Sequence, residues 1–148
     1  MWTNSASDGN HCYQAGGEGG GSSYRVDIDR FSVTADSNAT DVGDLAQGLK
    51  DAASHTSTTH AYVSGGRTGS GTTRHDMVQR WSFAETTDAA DTTQNLDITV
   101  YSNAGSSSTT HGYSHGGHTS SANVKEIYKF QFDTSDDSTE VGDLTDTV

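Results

Sequence analysis

One short pattern, written three times, constrains this chain more than anything else in it: a histidine, a spacer, a tyrosine, two further residues and a glycine pair. The copies are His11-Cys12-Tyr13-Gln14-Ala15-Gly16-Gly17, His60-Ala61-Tyr62-Val63-Ser64-Gly65-Gly66 and His111-Gly112-Tyr113-Ser114-His115-Gly116-Gly117. Their histidines stand 49 and then 51 residues apart. A period of this length marks a unit that cannot bury its apolar face alone and stacks on copies of itself.

A second feature stays in register with the first. It reads Ile28-Asp29-Arg30-Phe31-Ser32-Val33, Val78-Gln79-Arg80-Trp81-Ser82-Phe83 and Ile127-Tyr128-Lys129-Phe130-Gln131-Phe132, with Phe31, Trp81 and Phe130 spaced by 50 and 49 residues. Phe31 and Val33 fall on one side of such a segment and Ile28 on the other, as in the two later copies. Alternation of period two in aromatic and β-branched residues predicts a strand with two apolar faces. A third feature is Asp41-Val42-Gly43-Asp44-Leu45 and Glu140-Val141-Gly142-Asp143-Leu144, degenerate in the middle copy as Asp91 to Leu96 with one extra residue. Leu45 and Leu96 each precede the next motif histidine by 15 residues, which holds the alignment where the residues differ.

Each unit therefore carries four short strand candidates. These are a serine/threonine segment (Trp2 to Ser7, Ser54 to Thr58, Ser106 to Thr109), the His-x-Tyr strand, the aromatic strand and the Val-Gly-Asp-Leu strand. Turn-rich joins separate them. The units run over about 1–50, 51–101 and 102–148, together forming one repeat domain. Leu45 to Ala53 is the best helical window, but Gly43 precedes it and Gly48 interrupts it, so it reads as loop or strand. The expectation is an all-β chain.

Composition enters as a test of that expectation. Hydrophobic residues make up 30% of the chain and the net charge is −12, both in the direction of disorder. Against disorder stand the absence of proline and the fixed phase of the apolar residues within the repeat. The negative surface repels nucleic-acid phosphates and anionic membranes, which removes both as expected partners. With Cys12 as the one cysteine, neither an intrachain disulfide nor a cysteine zinc cluster can form. No basic, apolar leader opens the sequence and no apolar run is long enough to span a membrane. The expected location is a virion or the extracellular space, reached without a signal peptide.

About fifty residues, four strands, a diglycine after the second and an aromatic on the third is similar to a β-propeller blade, and most closely resembles kelch repeats. Gly16-Gly17, Gly65-Gly66 and Gly116-Gly117 match that family's diglycine. Tyr13, Tyr62 and Tyr113 match the aromatic leading into it, and Phe31, Trp81 and Phe130 the aromatic of the next strand. The chain departs from the family on strand four, where Leu45, Leu96 and Leu144 replace the expected tryptophan. The phrases Thr-His-Gly-Tyr, Asn-Ala-Thr-Asp-Val-Gly-Asp-Leu and Ile-x-Lys-Phe also look like repeats in structural proteins of marine and cyanobacterial phages. The resemblance implies blades whose aromatics fill the wedge to the next blade. Three blades are too few for a ring, which typically has about 4–8. The resemblance therefore implies a homo-oligomer, two copies closing a six-bladed ring, with a fragment of a longer propeller as the alternative.

Candidate chemistry is sparse. His11, His60 and His111 invite a metal reading, but a residue repeated in every unit is expected to bond a backbone group of the next blade or strand. His111, His115 and His118 are denser, yet i and i+4 on a strand lie about 13 Å apart. Asp36, Asn38, Asp41, Asp133 and Asp136 offer oxygen ligands of the kind calcium takes, set against an ordinary capping role in turns. No cofactor is expected, calcium being the weak exception. No Gly-x-Ser-x-Gly elbow occurs, Gly69-Ser70-Gly71 being too short. Cys12 and His11 are adjacent on a strand and face opposite ways. Tyr24, Arg67, Arg74, His75 and His118 lie in the variable loops after the glycine pairs and are the candidate ligand-loop residues. The expected function is non-enzymatic: a structural or adhesive protein, such as a phage fibre, spike or decoration protein contacting other virion proteins or a host surface. The alternative is a carbohydrate-binding propeller. An oxidase of the kelch-propeller kind is disfavoured, because the tyrosine, histidine and thiol set it would need is missing.

Overall fold

The computed structural model describes residues 4–19, 24–69 and 73–147, which contain fourteen strands and no helix. Trp2 and Thr3 of the first strand candidate, parts of two loops including Ser70 and Gly71, and Val148 lie outside the described residues. Twelve of the strands form three antiparallel meanders of four strands each. Sheet 1 contains β1 (Asn4–Ser7), β2 (His11–Ala15), β3 (Asp27–Ser32) and β4 (Thr40–Asp44). Sheet 2 contains β5 (Ala53–Thr56), β6 (His60–Ser64), β9 (Met77–Ser82) and β10 (Ala90–Asn95). Between β6 and β9 sits a two-stranded ribbon, β7 (Arg67–Thr68) and β8 (Thr73–Arg74), where the sequence reads as turn. Sheet 3 contains β11 (Ala104–Ser107), β12 (His111–His115), β13 (Glu126–Gln131) and β14 (Thr139–Asp143).

The first strands of the second and third units stop earlier than the sequence suggests, and that of the first stops at Ser7 as expected, for a local reason. The Ser57 hydroxyl accepts the N–H groups of Thr59 and His60, and Ser108 does the same for Thr110 and His111. In the first unit the Asp8 carboxylate takes that position, accepting from Asn10 and His11. These side chains supply the acceptors that turn the chain from the first strand into the second.

The sheets meet most closely at their first strands, where β5 touches both β1 and β11. The Ser5 N–H donates to the Ser54 hydroxyl at 3.1 Å, and the Thr56 N–H to the Ser107 hydroxyl at 2.9 Å. That proximity accounts for the small side chains of these strands: a Cβ added to Gly105 would sit 2.3 Å from the Ser54 carbonyl oxygen. Farther along each sheet the gap is filled by rings. Tyr13 of sheet 1 meets Trp81 and Phe83 of sheet 2 at centroid distances of 6.4 and 5.1 Å. Tyr62 of sheet 2 meets Phe130 and Phe132 of sheet 3 at 6.1 and 4.4 Å.

Two apolar cores result, one on each side of sheet 2. All of Ala61 to Ser64 is buried, whereas burial alternates on β2 and alternates in the opposite phase on β12. Sheet 1 buries Tyr13, Ala15 and Ile28; sheet 3 buries Gly112, Ser114 and Phe130. The aromatic of the third strand consequently fills an inter-sheet wedge in only two of three copies. Trp81 and Phe130 are 3% and 1% exposed, but Phe31 is 42% exposed because no sheet covers its face.

Candidate functional site

Each glycine pair is where its unit turns toward the loops and touches a linker between sheets. The φ angles of Gly65 and Gly66 are 69° and 90°, and the other two pairs repeat them closely. This is the left-handed region that glycine enters without a steric penalty. Space adds a second requirement: a Cβ on Gly65 would lie 2.8 Å from the Val100 carbonyl oxygen, and one on Gly66 would lie 2.8 Å from Ala52 Cβ. The Gly17 N–H donates to Leu49 and the Gly66 N–H to Val100, so the first two pairs tie their sheets to the following linker, while Gly117 packs against Tyr101 and Asn103 of the preceding one.

Beyond the pairs, the linkers thread between the loops. Lys50 and Arg67 exchange two backbone hydrogen bonds, as do Tyr101 and His118. The side chains form a row along this end of the protein. Lys50 Nζ is 3.0 Å from Glu18 Oε1 and 5.4 Å from the centre of the Tyr24 ring. Its hydrogen bond to Glu18 raises the ammonium pKa above the ordinary value, against a smaller opposing effect of desolvation. Arg67 and Arg74 lie over the Tyr101 ring at 4.4 and 5.3 Å, and the His118 ring is 5.2 Å from it. Arg67 Nε also donates to Asp51 Oδ2 at 2.6 Å. The other Asp51 oxygen is buried and has no hydrogen-bond partner among the described residues.

Of the five loop residues, the structure brings Tyr24, Arg67, Arg74 and His118 into this row. His75 stands apart, with Nε2 3.0 Å from the Thr68 hydroxyl and its pKa lowered chiefly by burial. Lys50 and Tyr101 join the row, and sequence reasoning missed them. Their 51-residue separation matches the repeat and was the available signal. The row thus sets cations on aromatic faces, with Lys50 paired to Glu18 and Arg67 to the buried Asp51.

The motif histidines sit at the opposite end of β2, β6 and β12. The Nδ1 atoms of His11, His60 and His111 are 3.1, 2.8 and 2.8 Å from Asp8 Oδ2, the Thr59 hydroxyl and the Thr110 hydroxyl. Their partners are thus side chains of the preceding turn, not a backbone group of the next sheet or strand, because the ring at the first position of the strand overlies its own turn. The histidine that does reach the next sheet is His55, missed because its segment reads as serine/threonine filler. It is fully buried, with Nδ1 3.1 Å from the Ser106 carbonyl oxygen and Nε2 2.8 Å from the Ser64 hydroxyl. Desolvation lowers its pKa from 6.5 to about 4, against the raising effect of the Ser106 carbonyl. Among the motif tyrosines, Tyr13 donates to Asp8 and Tyr62 to Asp133, while Tyr113 lies on the outer face of sheet 3.

The acidic turn residues are used in different ways, some between sheets and some within a turn. Asp133 accepts from Arg80 at 2.8 Å and from the Tyr62 hydroxyl, and Asp41 accepts the Gly43 N–H. The Asp136 carbonyl accepts from Gln94, and Asp36 and Asn38 stand exposed between β3 and β4. Among the described residues no three His, Cys, Asp or Glu side chains are grouped to hold a metal ion. Cys12 pairs with Phe31 across β2 and β3, on the side of sheet 1 that no sheet covers. No protein-family model and no curated protein sequence matches this chain.

Proposed function

We propose that the chain is a non-enzymatic structural and adhesive module. On this reading its three sheets are kelch-like propeller blades, and it serves in a phage virion as a fibre, spike or decoration protein. The observation that carries the reading is where the repeated residues are used. Tyr13, Tyr62, Trp81 and Phe130 pack sheet on sheet, the glycine pairs close the inter-sheet linkers, and the histidines brace turns. The repeat thereby builds a stack, with its variable residues left to the loops. Two copies completing a six-bladed ring is the assembly that fits this architecture. Peptide mass spectrometry of gradient-purified particles tests the role: the chain is expected at a fixed copy number per particle, and its absence from particles sinks the assignment.

A second reading, a carbohydrate-binding propeller, is favoured by the Arg67–Tyr101–Arg74 cluster, which presents cations and a ring together. A glycan array probed with the wild type and with Tyr101→Ala separates the two. Binding that the variant loses supports the lectin reading, and no binding at high glycan density leaves the scaffold.

A further inference from the structure

The two outer faces of the stack are the two halves of a contact that the molecule already makes twice. Sheet 1 covers sheet 2, and sheet 2 covers sheet 3, always with the Tyr-bearing face of the earlier sheet on the Phe/Trp-bearing face of the later one. Among the described residues the Tyr-bearing face of sheet 3 has no partner, and neither has the Phe-bearing face of sheet 1. At the uncovered positions Phe31, Val33 and Val141 are 42%, 52% and 48% exposed. Their counterparts Phe130, Phe132 and Val42 are 1%, 5% and 8% exposed. Shallow hollows mark both faces, one lined by Cys12, Gln14 and Phe31, the other by Tyr113, Ile127, Val141 and Leu144.

The backbone carries the same unfinished pattern independently of the rings. At the first contact the Asp44 N–H donates to Asp88 Oδ1 at 3.0 Å, and the Ala89 N–H donates back to the Asp44 carbonyl at 2.7 Å. At the second, the Asn95 N–H donates to Asp137 Oδ1 at 2.8 Å and the Ser138 N–H to the Asn95 carbonyl at 2.9 Å. Alignment of the repeats assigns the third set to Asp143 with Asn38 and Ala39. Gly43 adds a steric mark: a Cβ there would meet the Thr87 carbonyl oxygen at 2.7 Å. Gly142 holds nearly the same conformation, with φ of 156° against 150°, yet nothing lies within 4 Å of its Cβ position.

We infer that the Tyr113 face of one chain docks on the Phe31 face of a second copy, in the geometry of the two internal contacts. Tyr113 lies on Phe31 and Val33 of the second copy. The Asp143 N–H donates to that copy's Asn38 side-chain oxygen, and Gly142 fits over Ser37 and Asn38. The inference rests on the blade reading above, but it specifies a head-to-tail contact, in which unlike faces meet.

Sedimentation velocity and native mass spectrometry on four samples test it. Wild type is expected at twice the 15.6 kDa chain mass. Phe31→Asp alone and Tyr113→Asp alone are each expected as monomers with wild-type circular dichroism. Mixed one to one, they are expected to pair, because each retains the face that the other lacks. Labelling of Cys12 by a maleimide gives a second readout. Tyr113→Asp, at the far end of the chain, is expected to speed it at least 5-fold (roughly the factor for a face largely occluded in the assembly). A monomeric wild type, a Phe31→Asp protein that still self-associates, or a mixture that fails to pair overturns the contact. A ladder of ever larger wild-type species with complementing variants supports the contact and instead overturns the closed ring of the proposed function.

Discussion

At the residue scale, the histidine that matters for stability is His55, not the three that the repeat advertises. It is neutral when folded, with a pKa of about 4, and titrates near 6.5 when unfolded. Between those values the unfolded chain binds a proton that the folded chain refuses, so stability rises with pH across this window. The full contribution is present above about pH 6.5 and is lost as pH falls toward 4. The span is of order 3 kcal/mol. Urea midpoints measured from pH 4 to 8 should show this rise, and His55→Gln should flatten it. Gln94 is the other buried polar anchor. Its side-chain N–H groups donate to the carbonyls of Gln131 and Asp136 and to the Thr134 hydroxyl. Gln94→Ala leaves those acceptors unmet, and an equilibrium unfolding curve should register a loss of about 1–3 kcal/mol.

At the scale of elements, the first strand of each unit is built mostly from small residues, His55 being the exception, because it is where the sheets touch. Gly105→Ala places a methyl group against backbone that cannot yield, with an expected cost of about 1–3 kcal/mol in urea unfolding. Strand three behaves differently from copy to copy despite its constant pattern. Trp81→Ala removes a ring from a closed core and should cost about 3–5 kcal/mol. Phe31→Ala, at the same repeat position on an uncovered face, should cost under about 1 kcal/mol in the isolated chain, because truncation there leaves no cavity. Thermal melts of the two variants at a concentration below self-association check the contrast. The middle copy's extra residue also finds its meaning at this scale. The β9–β10 register shifts between Asp91 and Asn95, and within that irregularity the buried Gln94 reaches the next sheet.

For the whole molecule, a net charge of −12 on 148 residues makes self-repulsion a global term. Screening reduces it, since the Debye length falls from about 30 Å at 0.01 M salt to about 3 Å at 1 M. Both the melting temperature and the association of copies should therefore rise with sodium chloride. Sedimentation velocity at low and high salt checks the second effect; association that weakens with salt would point to a contact driven by opposite charges. The architecture itself has little long-range wiring. Each sheet is a meander of sequence-adjacent strands, and it meets the next through linkers, rings, first strands and the contacts that Asp44, Gln94 and Asn95 make with the following sheet's third-to-fourth-strand loop.

The sequence by itself determined the twelve strands of the three sheets and their order, but not the small ribbon of β7 and β8, which it reads as turn. Period-two alternation, glycine pairs at positive φ and serine or aspartate turn acceptors are local devices, and local physics is enough to read them. It also marked the loop residues Arg67, Arg74 and His118, because variable polar side chains between constant strands stand out. Tertiary structure alone decided which of two apolar faces each sheet buries. Phe31, Trp81 and Phe130 are equivalent in the repeat, but burial depends on a neighbour, and the outer sheets each have one. It alone brought Lys50 and Tyr101 between the loops, since those residues come from linkers far along the chain from the side chains they meet. The same physics explains why His55 was silent in the sequence. A histidine in a serine-rich segment gains its altered pKa only when a second sheet excludes water from it.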